Sequence, residues 1–307
     1  MTWPHQPVLY HEVLEALQPR AGGRYVDGTV GAGGHAHGIL TRSAPDGLLL
    51  GLDVDPQALA VAAERLAPFG ARVHLRRASY VTLRAQLDAL GWEAVDGVVL
   101  DLGLSSMQLD TPARGFSFRE DAPLDMRFDP DQPLTAADLV NTLEEAALAE
   151  ILWRYGEERK ARRVARAIVQ HRPVTTTRQL AEIVAAATTS GRPGMHPATR
   201  TFQALRIAVN RELANVEAVL PQAIEALAPG GRLAVIAFHS LEDRIVKHFL
   251  RQMSSECTCP PERPHCACRE NAQVRLIKPF PVRPSAEEVA HNPRARSARL
   301  RVVEKLA

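Results

Sequence analysis

Cysteine is missing from the whole chain except for four residues between Cys257 and Cys268. That distribution excludes a disulfide framework stapling distant parts of the fold. Long apolar runs are missing too, and nothing approaches the roughly 18 consecutive apolar residues of a membrane span. The first residues, Met-Thr-Trp-Pro-His-Gln-Pro, lack the basic region and apolar core of a secretory leader. A cytoplasmic protein without a membrane partner is therefore the expectation. Charge of one sign is also lacking: a net +2 exerts no global pull on a polyanion, so only local clusters carry information. No stretch marks an oligomeric state. What is present is ordinary globular composition, 46% hydrophobic and 23% charged, in a chain of 307 residues that is long enough for a large core and two domains.

The organising stretch is Tyr25-Val-Asp-Gly-Thr-Val-Gly-Ala-Gly-Gly-His35, an apolar strand running into a glycine-dense turn that can open a helix. Gly31, Gly33 and Gly34 tolerate left-handed backbone and carry no Cβ, so backbone N–H groups at the helix start can approach a ligand closely. Gly31, Gly33 and Ala36 also satisfy the dinucleotide fingerprint, with Asp53 following at the spacing of a ribose-binding acid. A nicotinamide-dependent oxidoreductase is thus one reading of this turn.

Leu48-Leu-Leu-Gly-Leu-Asp53 reads as a strand buried on both faces of a parallel sheet, delivering Asp53 to its carboxyl end as an acceptor for ribose hydroxyls. Asp55, just before Pro56, suits the cap of the next helix. Arg72–Arg76 is a third strand, and Tyr80 beyond it either stacks on a base or packs at the sheet edge. Val95-Asp-Gly-Val-Val-Leu-Asp101 is a fourth strand, which brings Asp101 to the ligand crevice. Ser105, Ser106 and Gln108 offer neutral hydrogen-bonding groups there, or cap a helix. Before these strands, His5 to Leu17 reads as a short amphipathic helix.

The next convincing strand, Gly231–Phe238, begins far beyond Asp101, whereas a crossover between parallel strands needs only about a dozen to thirty residues. A helix-rich insertion fills the gap, with candidate helices at 136–138, 143–153, 157–171 and 177–187 and an exit linker at Gly191–Gly194. Residues 201–227 return to the sheet as a helical stretch expected to break at Pro221. Within the insertion, residues 154–178 hold eight Lys or Arg against two Glu. Arg159, Arg162, Arg163 and Arg166 recur at helical spacing opposite Ala161, Val164, Ala165 and Ile168. This face either meets RNA phosphates or is simply the wet side of a helix.

His239 and Ser240 follow the fifth strand, where function concentrates in such sheets, the alternative being a helix-capping serine beside a packed histidine. Two further alternating segments, 273–277 and 297–303, are expected to form an edge hairpin around a proline-rich loop. The basic stretch Asn292–Arg299 suits RNA contact or a solvated turn. Cys257, Cys259, Cys266 and Cys268, with His265, could surround zinc. Their C-x-C spacing differs from the usual C-x-x-C, which favours an exposed thiol-bearing loop.

Taken together, Asp27–His35, Leu100–Asp110, Arg114-Gly-Phe-Ser-Phe118, Leu124-Asp-Met-Arg127, Phe238-His-Ser-Leu-Glu-Asp-Arg244 and Asn292–Ala298 resemble the bacterial 16S ribosomal RNA cytosine-N4-methyltransferases, which use S-adenosylmethionine. The resemblance spans nearly the whole chain. It implies an α/β fold with a Rossmann-like class I methyltransferase sheet and an inserted, mostly helical second domain, here a discontinuous S-adenosylmethionine-binding domain of residues 1–110 and 197–307 around a substrate-binding domain of residues 111–196. It implies a methyl transfer to the N4 amine of a cytidine in 16S rRNA, free or within the small ribosomal subunit. Gly33, Gly34 and His35 would line the methionine part of the cofactor, Asp53 would hold its ribose, and Tyr80, Asp101 and Gln108 would complete the pocket. For the chemistry, which calls for no metal, Asp101 is the first choice and His239 the second as acceptor of the amine proton. One departure stands out: Asp101-Leu-Gly-Leu occupies the place where many exocyclic-amine methyltransferases carry Asn or Asp followed by Pro-Pro and an aromatic. The rival readings are the oxidoreductase and a non-catalytic RNA-binding module that merely keeps the fold.

Overall fold

The computed structural model describes residues 7–188, 196–254 and 272–307. His5, the Gly191–Gly194 linker and the four cysteines with His265 lie outside the described residues. The chain divides into two compact units, residues 1–103 with 213–307, and residues 104–212. The inserted unit is thus longer at both ends than the 111–196 read from sequence. Residues 199–210 belong to it because their helix, expected to return to the sheet, packs within the helical core instead.

The first unit alternates helices and strands: α1 (Tyr10–Leu17), β1 (Arg24–Asp27), α2 (Gly34–Arg42), β2 (Leu48–Asp53), α3 (Pro56–Leu66), β3 (Val73–Arg77), α4 (Leu83–Asp88) and β4 (Val95–Asp101). The second unit supplies α5 (Ser106–Leu109), α6 (Ala136–Thr142), α7 (Glu145–Gly156), α8 (Ala161–Gln170), α9 (Thr177–Ala187) and α10 (Thr199–Asn210). The first unit then resumes at Leu213, within α11 (Glu212–Ala226), and continues through β5 (Leu227–Ala237), α12 (Ser240–Met253), β6 (Val274–Val282), α13 (Ala286–His291) and β7 (Arg299–Lys305).

The seven strands form one sheet in the order β3-β2-β1-β4-β5-β7-β6. The first five run parallel, while β7 is antiparallel to both of its neighbours. Successive side chains on a strand face opposite sides, and the two cores follow that alternation. Val26, Leu50, Leu52, Val98 and Leu100 pack with Val216, Val219 and Leu220 of α11. Tyr25, Leu49 and Val99 pack on the other side with Val13 and Leu14 of α1 and Ile39 of α2. A sheet covered on both faces explains the near-continuous apolar runs of β2 and β4. The expected hairpin is present. Its proline-bearing strand, β6, occupies the sheet edge, the position where missing N–H donors are tolerated.

Two boundaries differ from expectation. The helical stretch before β5 does not break at Pro221, which lies inside α11 on its exposed side, where the missing N–H and the ring face solvent. It breaks at Arg211, in the left-handed region at φ 53°, between α10 and α11. And β5 begins at Leu227, four residues before the Gly231 start read from sequence, because Leu227 already pairs with Val95 ahead of an irregularity in the register.

In the helical unit, α7 packs against both α8 and α10 around Leu148, Leu152, Val164, Ile168 and Leu205. The loop before α6 is braced by the very residues that stood out in sequence. Arg114 donates to the carbonyls of Arg127 and Phe128, Asp125 pairs with Arg127 at 2.7 Å, and the Asn210 carboxamide accepts from Phe128 N and donates to Met126 O. No helix among the described residues is long and apolar enough to cross a membrane.

Candidate active site

The strand order reverses between β1 and β4, since the chain moves outward from β1 to β3 and then resumes on the other side at β4. Open α/β sheets bind ligands at that switch point, outside the carboxyl ends of the strands. Here both flanking strands end in aspartate, β1 in Asp27 and β4 in Asp101, with β2 ending next to β1 in Asp53.

The turn after β1 is held by main-chain and carboxylate bonds. Gly28 N donates to Val99 O, Val30 N to Leu52 O and Gly33 N to Val30 O. Gly31 and Gly33 take positive φ, 49° and 76°, and Gly33 is the cap residue preceding α2. At Gly34 the space a Cβ would fill is occupied by the ring of Pro7, 2.2 Å from the ideal position. Its lack of a side chain therefore serves the packing of the N-terminal segment.

Asp27 is buried, and its carboxylate accepts from the backbone of Thr29 and Ala36, tying the turn to the first turn of α2. Burial pushes Asp27 up to about 7, with the nearby Asp53 adding to the rise. Asp53 accepts from Gly31 N at 2.9 Å through one carboxylate oxygen and from Asp55 N at 2.9 Å through the other. The backbone of Val54 bonds to the same carboxylate, so its two oxygens keep one acceptor site between them, and burial raises this group to about 6. Asp55 accepts from Gln57 N and caps α3.

Asp101 is raised furthest. Burial, then the neighbouring charges of Asp27 and Glu242, bring it to about 8. Its backbone N donates to Thr29 Oγ1 at 2.6 Å, which locks β4 to the glycine turn. Its Oδ2 lies 3.8 Å from His35 Nδ1, while Oδ1 is buried and accepts no hydrogen bond among the described residues. Burial lowers His35 to about 4, so it is neutral near pH 7 and cannot neutralise Asp101. Its Nε2 lies 3.1 Å from the Val8 carbonyl, an anchor for the N-terminal segment.

His239 caps α12: its Nδ1 accepts from Glu242 N, and its Nε2 lies 3.1 Å from Glu242 Oε1. Glu242 in turn accepts from Phe238 N. The capping histidine and this glutamate are thus engaged through Nδ1, while His239 Nε2 is buried and makes no hydrogen bond among the described residues. Tyr80 is half-buried in a short turn introduced by Ser79, with its Cβ beside Gly28. Gln108 lies in the other unit, where it forms a capping box with Ser105 and opens α5.

The structure therefore brings Gly33, His35, Asp53, Tyr80 and Asp101 to the strand ends of one unit. Sequence reasoning left out Asp27, Thr29 and Glu242. Glu242 stands three residues after a cap position, the spacing of a capping box, and that signal was available. The bonds of Asp27 and Thr29 to the turn had none.

These residues suit a cationic ligand that also carries hydroxyls. The glycine turn permits close backbone approach, Asp53 keeps an open acceptor site, and Asp101 Oδ1 is a buried acceptor awaiting a donor or positive charge. A parallel sheet of this order with an antiparallel seventh strand and such a site defines the S-adenosylmethionine-dependent class I methyltransferases. Residues 2–306 match the family model described as the MraW methylase family. The chain is 54% identical over 307 residues to ribosomal RNA small subunit methyltransferase H of Geotalea uraniireducens, covering 98% of each chain. It is 53% identical over 311 residues to the protein of that name from Symbiobacterium thermophilum (100% of this chain, 98% of the relative). A third, from Heliobacterium mobile, is 50% identical over 312 residues, with both chains fully covered. The chain belongs to the MraW methylase family, and S-adenosylmethionine is its methyl donor.

Proposed function

We propose that the chain methylates the exocyclic N4 amine of a cytidine in the decoding region of 16S rRNA, in the cytoplasm, on the small ribosomal subunit or its RNA. The observation that carries the residue assignment is Asp101, a buried carboxyl group at the switch point with an unengaged oxygen. When bound, S-adenosylmethionine supplies a methyl group on a cationic sulfonium, open to in-line displacement. The chain's own residues position and dehydrate the reactants. Asp53 would accept a ribose hydroxyl, Tyr80 would stack on the adenine, and the turn from Gly31 to His35 would border the methionine portion, with His35 acting through its anchor on Val8.

The cytosine amine is a weak nucleophile because its lone pair is delocalised into the ring. Asp101 accepts an amine hydrogen through Oδ1, favours pyramidal nitrogen, and takes the proton as the new N–C bond forms and the S–C bond breaks. His239 stands second, because its Nδ1 is occupied by the Glu242 N–H; its role is to hold the start of α12. Glu242 contributes negative field to Asp101.

The test is transfer of labelled methyl groups to unmodified small ribosomal subunits, for the wild type and for Asp101→Asn. A large loss of kcat at saturating cofactor is expected, measured apart from any weakening of cofactor binding. Unchanged turnover at saturating cofactor would remove Asp101 from the chemistry.

A further inference from the structure

The helical unit presents an exposed face that its own fold does not use. In the hairpin formed by α7 and α8, the inward residues Leu148, Leu152, Ala161, Val164, Ala165 and Ile168 are buried, so the arginines at the opposite phase of α8 point to solvent. Arg159, Arg162, Arg163 and Arg166 are all exposed. The structure also sorts the local charges. Arg172 is drawn inward to the carbonyls of Val140 and Leu143, and Glu158 is buried and holds Lys160 N. Of the two acids in this stretch, Glu158 is thus withdrawn from the surface and Glu157 stays exposed. Only Arg166 reaches a carboxylate among the ion pairs seen on this stripe, Glu145 at 3.4 Å, and both partners are largely exposed, so the pair is weak and exchangeable.

A second observation is independent of charge. Trp153, on α7 just before the hairpin turn, is 62% exposed, the most exposed large hydrophobic side chain among the described residues. Arg154 beside it lies over the ring of Tyr155 at 5.7 Å, which leaves the indole without that cation. An indole left in water on α7 and a row of exposed guanidinium groups on α8, the helix packed against it, form the combination that binds single-stranded nucleic acid: bases stack on the ring and arginines take the phosphates.

We infer that Trp153 and the exposed arginines of α8 form a contact surface for an unpaired stretch of the substrate rRNA. The inference rests on the reading of the chain as an rRNA methyltransferase and adds to it a site in the inserted unit, remote in sequence from the strand-end carboxylates. The stripe orients the RNA through its backbone and grips one base, and carries no sequence readout of its own.

The experiment measures binding of unmodified small ribosomal subunits to the full chain across a salt series. It compares wild type with Trp153→Ala, with Arg162→Gln/Arg163→Gln, and with the reversal Arg162→Glu/Arg163→Glu. Circular dichroism and the S-adenosylmethionine dissociation constant, both expected to stay at wild-type values, serve as controls of the fold. Trp153→Ala should weaken binding about 5- to 150-fold with little change in salt slope. The glutamine pair should flatten the logarithmic salt slope by about 0.7 for each phosphate that an arginine no longer neutralises, and the reversal should weaken binding further. Wild-type affinity and salt slope in all three variants, with methylation by the wild type intact, would overturn this inference alone. Weaker binding by the arginine variants at an unchanged salt slope would assign the face to a ribosomal protein and overturn the RNA contact. A wild-type chain that transfers no methyl group to the subunits would overturn the functional reading and this inference with it.

Discussion

Three carboxyl groups at neighbouring strand ends, Asp27, Asp53 and Asp101, are raised to about 7, 6 and 8, and all three shifts act in one direction on folding. A folded-state value above the unfolded one means that the native chain binds more protons between the two, so stability falls as pH rises through that interval. The contribution is fully present below about pH 4, where the unfolded carboxyls also hold their protons, and is lost as pH climbs to about 8. We therefore expect the ligand-free protein to lose stability from pH 5 to pH 8, and Asp101→Asn to lose less over that range. Denaturant unfolding at several pH values checks this, and parallel curves for the two proteins would contradict it. A bound cation reverses the preference by favouring the ionised carboxyls, so cofactor binding should release protons near neutral pH. Asp53→Ala should weaken S-adenosylmethionine binding by about 1–3 kcal/mol, since a ribose hydroxyl loses a charged acceptor. A calorimetric dissociation constant equal to wild type would refute the ribose assignment.

At the scale of elements, the segments that carried the family resemblance divide into two kinds. Asp27–His35 and Leu100–Asp101 build the strand ends. Arg114–Phe118 and Leu124–Arg127, by contrast, brace a loop of the helical unit. Gly115 shows the difference: its φ is 70°, and a Cβ there would stand 2.3 Å from the Pro123 carbonyl oxygen and 2.7 Å from Asp125 N, both backbone atoms that cannot swing aside. Gly115→Ala should therefore destabilise the helical unit by about 1–3 kcal/mol or more. It should appear as a lower thermal midpoint and faster proteolysis between residues 104 and 212. Protease resistance equal to wild type would show that the loop can shift to admit a methyl group. The basic stretch near the C-terminus resolves similarly at this scale. Arg299 is drawn to Asp243 at 2.7 Å, while Arg296 remains exposed.

At the scale of the first unit as a whole, the last strand is stapled to α12 by charge. Arg301 is 4% exposed and donates to both carboxylate oxygens of Asp243, and its guanidinium lies 4.6 Å from the centre of the Phe280 ring. Burial pushes the Asp243 carboxyl up, but its bonds to Arg301 and Arg299 outweigh that and hold it below the usual range. Asp243→Ala would leave a buried guanidinium unpaired and should cost about 3–5 kcal/mol. Because Asp243 is depressed, the stabilising effect is present above the ordinary carboxylate range and disappears in acid, so mutant and wild type should converge toward low pH. An equal loss of stability at every pH would mean that packing, not charge, explains the effect.

Strand positions, the interruption after Asp101 and the strand-end acids Asp53 and Asp101 were legible in the sequence, because burial on both faces of a parallel sheet imposes continuous apolar runs that end where ligands bind. The two faces of α8 were legible for the same kind of reason, since a period of 3.6 residues sorts side chains without reference to any partner. Only the tertiary structure decided the rest. It assigned the 199–210 helix to the inserted unit, placed Pro221 on a solvent face where a helix can pass through it, and engaged His239 with Glu242 as a cap. It also turned Arg172 inward while leaving Trp153 in water. Each of these depends on which distant segment packs alongside, and a one-dimensional pattern records a residue's own periodicity but not the neighbour that folding brings to it.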